Sequence, residues 1–503
     1  MTESAENFAE SEHMHLSEDS LDPQPYVKRR DASFEKQLIE MQLTGFPALS
    51  KERRELGLAT ESLASRMAMV ASVDIGRKRL IPVQAILEGK KVQMAWNVKY
   101  LSHGWHRYVG RFPPQVIRAL FNAFRIVSPC LVLDPFVGSG TTLVESKLLG
   151  LDAIGVDVCP LSHLISEVKI SLDFDPSILK DSLAQVERKF RRAQNRNTLD
   201  SWSGESTSIN DSYYIPNFPN KERWFNPDVL SQLVSLLSAV KELPDSIAKF
   251  FYVAVSASMR SIANVDVDVV RTEYRRTPRE NVDVFRIVSS KIKRYIDDLL
   301  AFKRLLVPKS HVVAMLGDAR KLTLPNSSVD YIVTSPPYGI EAVSYLRTHM
   351  LSYRVLYEIL KTDYKELGTR MIGTDFVTDV KLTDKGLVSP RAQAFFDNVP
   401  ANTVSNQNRV AQMIGYFQDM EKSFAEMSRV LKENCFAVIV IGEKNLLGQK
   451  IPTYTIFSEI AEHYDLTLRK SIPVKLVCNN PTAVPPWSER MIQNEYLLMF
   501  EKA

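Results

Sequence analysis

Residues 130–157 read CLVLDPFVGSGTTLVESKLLGLDAIGVD, and the order of signals in them constrains the fold more than any other stretch of the chain. An apolar run of strand length, CLVLDPF, leads into a glycine-rich turn. A helical stretch closed by Gly150 follows, and then a second apolar run that ends on Asp157. Short uninterrupted apolar runs suit strands covered on both faces. Two of them joined through a helix form a crossover, so the sheet they begin is parallel. Just upstream, Pro113 and Pro114 open PPQVIRALFNAF as a helix, because proline is tolerated in a first turn whose amides lack partners anyway. The alternation resumes after residue 306 with HVVAMLGDA and VDYIVTSPPYG. It finishes with CFAVIVIG, a helix near TYTIFSEIAEHY, LTLRKSIPVKL and NEYLLMFEK.

The predicted class is therefore α/β: a Rossmann-like, doubly wound, mostly parallel sheet, interrupted by a large helical insertion. SLAQVERKFRRAQ, PDVLSQLVSLLSAVKEL and FRIVSSKIKRYIDDLLAFKRLL are the clearest helical patterns of that insertion. The expected organisation is a disordered acidic tail over 1–30, a mixed helical region over 31–102, a sheet domain built from 103–170 and 307–503, and the insertion over 171–306. A second, irregular insertion is expected over roughly 367–405, where periodicity fades and Gly, Thr, Asp and Asn accumulate.

Composition narrows the class of protein. With 503 residues, 45% hydrophobic and 24% charged, the chain reads as an ordinary globular protein, neither disordered nor fibrous. No apolar run approaches a membrane span, and the N-terminus has no signal-peptide pattern. Cys130, Cys159, Cys435 and Cys478 lie far apart without CxxC spacing, which predicts reduced thiols in a cytoplasmic protein. The eight histidines form no metal constellation, so no metal is expected. The formal charge is +4 although residues 1–26 carry seven acids and no Lys or Arg, so the body is the basic part. That distribution fits a nucleic-acid binder with an acidic arm, and equally a solvated tail on a soluble surface.

Two motifs carry chemistry. In Asp134-Pro135-Phe136-Val137-Gly138-Ser139-Gly140-Thr141-Thr142, glycines between strand and helix let a ligand approach the backbone at a helix N-terminus. The spacing is not GxGxxG and no P-loop lysine follows. Asp157, at the next strand end, is placed to accept from ribose hydroxyls, and Asp318, in LGDAR, from an adenine amine. A glycine turn with two strand-end acids suits an adenosyl ligand without phosphates. The second motif is Thr334-Ser335-Pro336-Pro337-Tyr338-Gly339. Consecutive prolines remove backbone donors and leave carbonyl acceptors. An amino group bonded to Ser335 Oγ and the Pro336 carbonyl becomes more nucleophilic, and Tyr338 can stack on the ring that bears it.

DPFVGSGTT, the strand-end Asp157 and TSPPYG together resemble the S-adenosylmethionine-dependent amino-methyltransferases that act on DNA. The resemblance covers roughly 103–170, 311–350 and 410–501. It implies that Asp134, Phe136, Gly138, Ser139, Gly140, Thr141, Thr142, Asp157 and Asp318 bind S-adenosylmethionine, that Phe112 and Pro113 contact its methionine end, and that Ser335, Pro336, Pro337 and Tyr338 are catalytic. Serine at the first catalytic position resembles the cytosine-N4 enzymes, whereas Asn or Asp there resembles the adenine-N6 enzymes. The resemblance also implies DNA as substrate and a restriction–modification or related defence setting. No nuclease constellation is apparent, so cleavage would belong to a separate endonuclease or defence protein. Competing readings are an adenine-N6 or RNA amino-methyltransferase, and a non-catalytic DNA-binding subunit that keeps the fold.

The glycine motif precedes the catalytic one, unlike the permuted order of many SPPY enzymes, and the chain ends with the sheet. Target recognition is therefore expected in 170–306, in 340–405 or in the N-terminal region. The leading candidates for DNA contact are Arg260, Arg271, Tyr274, Arg275, Arg276 and Arg279, since arginines fork onto phosphates or guanine edges and a tyrosine can stack on an unpaired base. Arg188, Lys189, Arg191, Arg192 and Arg196 lie on a helical pattern and read as a solvated face. Trp224 and Phe225 are expected to anchor a helix start in the core. His103 and His106 are expected near the cofactor mouth.

Overall fold

Seven strands form the central sheet: β1 (Leu131–Asp134), β2 (Asp152–Asp157), β3 (Val312–Leu316), β4 (Val329–Thr334), β5 (Leu431–Gly442), β6 (Leu466–Lys475) and β7 (Asn494–Lys502). Their order is β3-β2-β1-β4-β5-β7-β6. The first five run parallel, and β7 lies antiparallel between β5 and β6. The computed structural model describes residues 99–108, 110, 129–195, 214, 216–266, 272–304, 309–340, 342–374, 386–475 and 494–503, with Pro114, Ile117, Leu120, Phe121 and Ile126 from the stretch between 111 and 128. The acidic tail and nearly all of the N-terminal region lie outside these residues, as do Phe112, Pro113, Arg271 and Cys478.

The β–α–β reading is realised as drawn. Helix α1 (Thr141–Leu149) follows the glycine turn and closes at Gly150, and α2 (Pro160–Ile170) follows β2 with its proline in the first turn. In β1 successive residues serve opposite faces: Val132 joins the cluster that holds Ile117, Leu120, Phe121 and Leu143, and Leu133 joins the one that holds Phe417 and Phe424. Both strand residues are fully buried, so the sheet is covered on both sides. Strand order reverses between β1 and β4, since the chain moves outward one way to β2 and β3 and the other way to β5. In such sheets that reversal opens a crevice at the strands' carboxyl ends.

The insertion supplies α3 (Pro176–Asn195), α4 (Pro227–Lys241), α5 (Asp245–Ile262) and α6 (Val284–Arg304). They do not stand apart. Phe250, Phe251 and Tyr295 share one apolar cluster with Leu164, Ile165 and Val168 of α2, and with Leu346 and Leu351 of α7 (Ala342–Val355), the helix after the Thr334–Gly339 motif. Trp224 and Phe225 are buried in the same cluster, as their sequence context predicts. On α3, Arg191 pairs with Glu187 and Lys189 with Glu242 of the chain after α4, in keeping with a solvated face.

The second insertion is less irregular than expected. Within 367–405 lies α8 (Pro390–Asn398), capped by Ser389, whose hydroxyl accepts from the Ala392 amide at 3.0 Å. The signal was present as Ser389-Pro390, a cap before a proline at the first helical position. Thr403 caps α9 (Val404–Val430), a 27-residue helix that runs directly into β5. Helix α10 (Thr453–His463) then leads to β6. Among the described residues no helix is long and apolar enough to cross a membrane.

Candidate active site

The glycine turn and the Thr334–Gly339 motif leave adjacent parallel strands at the same end. Val132 and Leu133 of β1 are in register with Tyr331 and Ile332 of β4, so Asp134 and Thr334 finish side by side. Asp134 joins them. Its carboxylate accepts from Thr334 Oγ1 at 2.6 Å, from Thr142 Oγ1 at 2.6 Å and from the Phe136 amide at 3.1 Å. Burial pushes its carboxyl up to about 6 against the opposing pull of those three bonds. Asp134 and Thr142 therefore brace the turn through their own bonds.

The turn has the backbone that its glycines permit. Gly138 and Gly140 have φ of 50° and 79°, in the left-handed region that side chains avoid. A methyl group at Gly138 would stand 3.3 Å from the ring of Tyr108, which makes that tyrosine the neighbouring wall. Tyr108 is itself fixed by a 2.8 Å bond to Ser162 and by stacking on His349. The turn's carbonyls are drawn towards α2: Ser166 donates to Gly138 O at 2.8 Å, and the buried Lys169 donates to Ser139 O at 2.9 Å. Ser139 Oγ is buried without a hydrogen-bond partner among the described residues.

Asp157 stands across the turn. One carboxylate oxygen accepts from the Gly138 amide at 2.9 Å and the other from the Cys159 amide at 2.8 Å. A carboxylate offers about four lone-pair sites, so two internal bonds leave capacity for a diol. The group is half-buried, and burial, helped by the nearby Asp134 charge, raises its carboxyl to about 6. Asp318 follows β3, but both of its oxygens are engaged by Arg320, which also bonds Asp419 of α9. An adenine amine would have to share Asp318 with that guanidinium. These features fit an adenosyl group at the turn, with Asp157 its best-placed acceptor.

In the Thr334–Gly339 motif the Pro337 carbonyl is taken internally, by Tyr416 Oη at 2.7 Å and the Gly339 amide at 3.2 Å. Among the described residues none donates to the Pro336 carbonyl. Ser335 Oγ donates to Tyr338 Oη, and Tyr338 Oη to Glu495 Oε1, each at 3.2 Å. Tyr108, Lys169, Tyr416 and Glu495 were not singled out in the sequence. Each acts across a long separation, and only the short WHRYVGRFPP context placed Tyr108 near a recognisable signal.

The arginine cluster is only partly available. Arg275 and Arg276 are exposed. Arg279 bonds Ala263 O, and Arg260 bonds Asp266 O, so these two hold their own loop together. Tyr274 is sandwiched, with Trp224 stacked 3.8 Å away on one side and the Arg223 guanidinium 4.3 Å from its ring centroid. The same loop approaches α7 through a bond from Thr272 Oγ1 to Thr348 O. His103 and His106 are likewise core residues: His103 bonds the buried Glu145, and His106 bonds Ser256. Among the described residues no group of His, Cys, Asp and Glu is arranged to hold a metal ion.

A family model described as DNA methylase matches residues 24–162, a span that includes the glycine turn and Asp157. The Type II methyltransferase M.MvaI of Kocuria varians is 27% identical over 415 residues, covering 77% of this chain and 88% of that protein. The Type II methyltransferase M.BsoBI of Geobacillus stearothermophilus is 22% identical over 417 residues, covering 74% and 80%. A tRNA (guanine(10)-N2)-dimethyltransferase of Pyrococcus abyssi is 36% identical, but over 62 residues that make up 12% of this chain and 18% of that protein.

Proposed function

We propose, from this likeness to DNA methylases and Type II methyltransferases, that the chain belongs to the DNA amino-methyltransferase family and transfers the methyl group of S-adenosylmethionine to the N4 amino group of a cytosine in DNA, in a restriction–modification setting. The observation that carries this reading is the placement of the two motifs at neighbouring strand ends, tied through Asp134 to Thr142 and Thr334. That tie keeps a cofactor turn and an amine-binding segment in fixed relation, which a transfer between two bound molecules requires.

Asp157 would hold the ribose hydroxyls, the Gly138–Gly140 backbone would lie against the cofactor, and Tyr108 would wall it. The cofactor supplies an electrophilic methyl group on a positively charged sulfur. Ser335 Oγ and the Pro336 carbonyl would accept the two amine protons and turn the nitrogen's lone pair towards that methyl. Tyr338 would stack on a base swung out of the duplex. Serine at position 335 favours cytosine. The breadth of the match to Type II methyltransferases favours DNA over RNA, since the tRNA-enzyme likeness spans only 62 residues. Arg275 and Arg276 would contact the phosphate backbone, and the helical insertion would carry target recognition.

The test is transfer of labelled methyl from S-adenosylmethionine to duplex DNA by the purified chain, followed by identification of the labelled base. Label in N4-methylcytosine supports the reading. Label in N6-methyladenine would overturn the base assignment, and label in RNA alone would overturn the substrate.

A further inference from the structure

The antiparallel β7 brings an acid to the site that no strand-end rule anticipates. Strands β1, β2 and β4 reach the crevice with their last residues. Because β7 runs the other way, it reaches the same end with its first, and Glu495 is in register with Gly442 at the end of β5. Its carboxylate terminates a directed chain, Ser335 Oγ to Tyr338 Oη to Glu495 Oε1, with both links at 3.2 Å. Glu495 is half-buried. The residue in register with it on β5 carries no charge. Of the charged residues that follow β5, Glu443 is paired with Lys450 and accepts from Tyr496, while Lys444 lies alongside Gly339 of the catalytic loop. Burial raises the Glu495 carboxyl, and the bond from Tyr338 opposes that rise.

Resting on the amine-methylation reading, we propose that Glu495 is a positioning residue that orients the Tyr338 hydroxyl and receives, through Tyr338 and Ser335, the proton released when the amine is methylated. The nitrogen forms its bond to the methyl carbon as the carbon–sulfur bond breaks, with that electron pair remaining on sulfur. The nitrogen then carries one proton too many. Ser335 Oγ takes it while passing its own to Tyr338 Oη, which passes its own to Glu495 Oε1. A neutral amine and a protonated carboxyl result, and Glu495 returns the proton to solvent before the next turnover.

Single-turnover methyl transfer to duplex DNA tests this with Glu495→Gln, Tyr338→Phe and the double variant. Glu501→Gln serves as control, at the far end of the same strand where it pairs with Arg469. Glutamine keeps an acceptor for Tyr338 but cannot take the proton, and phenylalanine keeps the ring but removes the hydroxyl. Each single variant should lose about 100-fold in rate, the scale of general-base assistance, with cofactor affinity unchanged. The double variant should lose no more than the worse single, because both interrupt one chain. The fall in rate towards acid pH, where Glu495 is already protonated, should disappear in Glu495→Gln. Parental rates in Glu495→Gln, or losses that multiply in the double variant, would overturn the relay. If Glu495→Gln fails to fold, Tyr338→Phe carries the decision, and a parental rate there overturns the relay equally. A parent chain that methylates no DNA overturns the methylation reading first, a result seen before any variant is made.

Discussion

At the scale of single residues, the account turns on what each polar group is already bonded to. Asp157 spends two of its lone-pair sites on the Gly138 and Cys159 amides and keeps the rest for a ligand. Its ionised form is the better acceptor for ribose hydroxyls, and its carboxyl titrates near pH 6. Cofactor affinity, measured by calorimetry, should therefore fall as pH drops through about 6, whereas Asp157→Asn should be weaker throughout, by about 1 kcal/mol at neutral pH, and flat with pH. Tyr338→Ala should do the reverse. Cofactor affinity should hold while turnover falls by more than about 100-fold, since alanine removes both the hydroxyl of the relay and the ring that stacks on the base. Residue identities at both motifs were legible because each local rule, φ for glycine and lost donors for proline, belongs to the residue itself. Glu495 and Tyr416 were not legible, since their roles arise only where strands or helices distant in sequence meet.

At the scale of elements, the turn after β1 is held down by its fit against β2. A methyl group at Gly155 would stand 2.4 Å from Val137 Cγ2, too close for any side-chain carbon. Gly155→Ala should therefore destabilise the fold by about 1–3 kcal/mol, read as a lower urea midpoint, and should also weaken cofactor binding by displacing the turn. Strands and crossover helices were readable from apolar runs bounded by prolines and glycines. The stretch after residue 367 was harder, because α8 is a short helix whose cap, Ser389, had to be weighed against a polar, aperiodic neighbourhood. In the arginine loop, sequence shows charge but not the carbonyls near it, so the bonds by which Arg260 and Arg279 brace their own loop were not legible. Arg275→Ala and Arg276→Ala should each weaken DNA binding across sequences and lower the salt dependence by about one ion.

At the scale of the whole molecule, a sheet with one reversal of strand order is interrupted by helices whose core is continuous with α2 and α7. The insertion is thereby packed against the helices that flank the glycine turn and the Thr334–Gly339 motif. The central claim is that this assembly methylates the N4 amine of cytosine in DNA. The most direct test is nucleoside mass spectrometry of DNA from cells that express the chain, beside cells that express the Ser335→Ala, Tyr338→Ala double variant. The account predicts N4-methylcytosine in the first and none in the second. Equal N4-methylcytosine in both, or its absence from both, would contradict it.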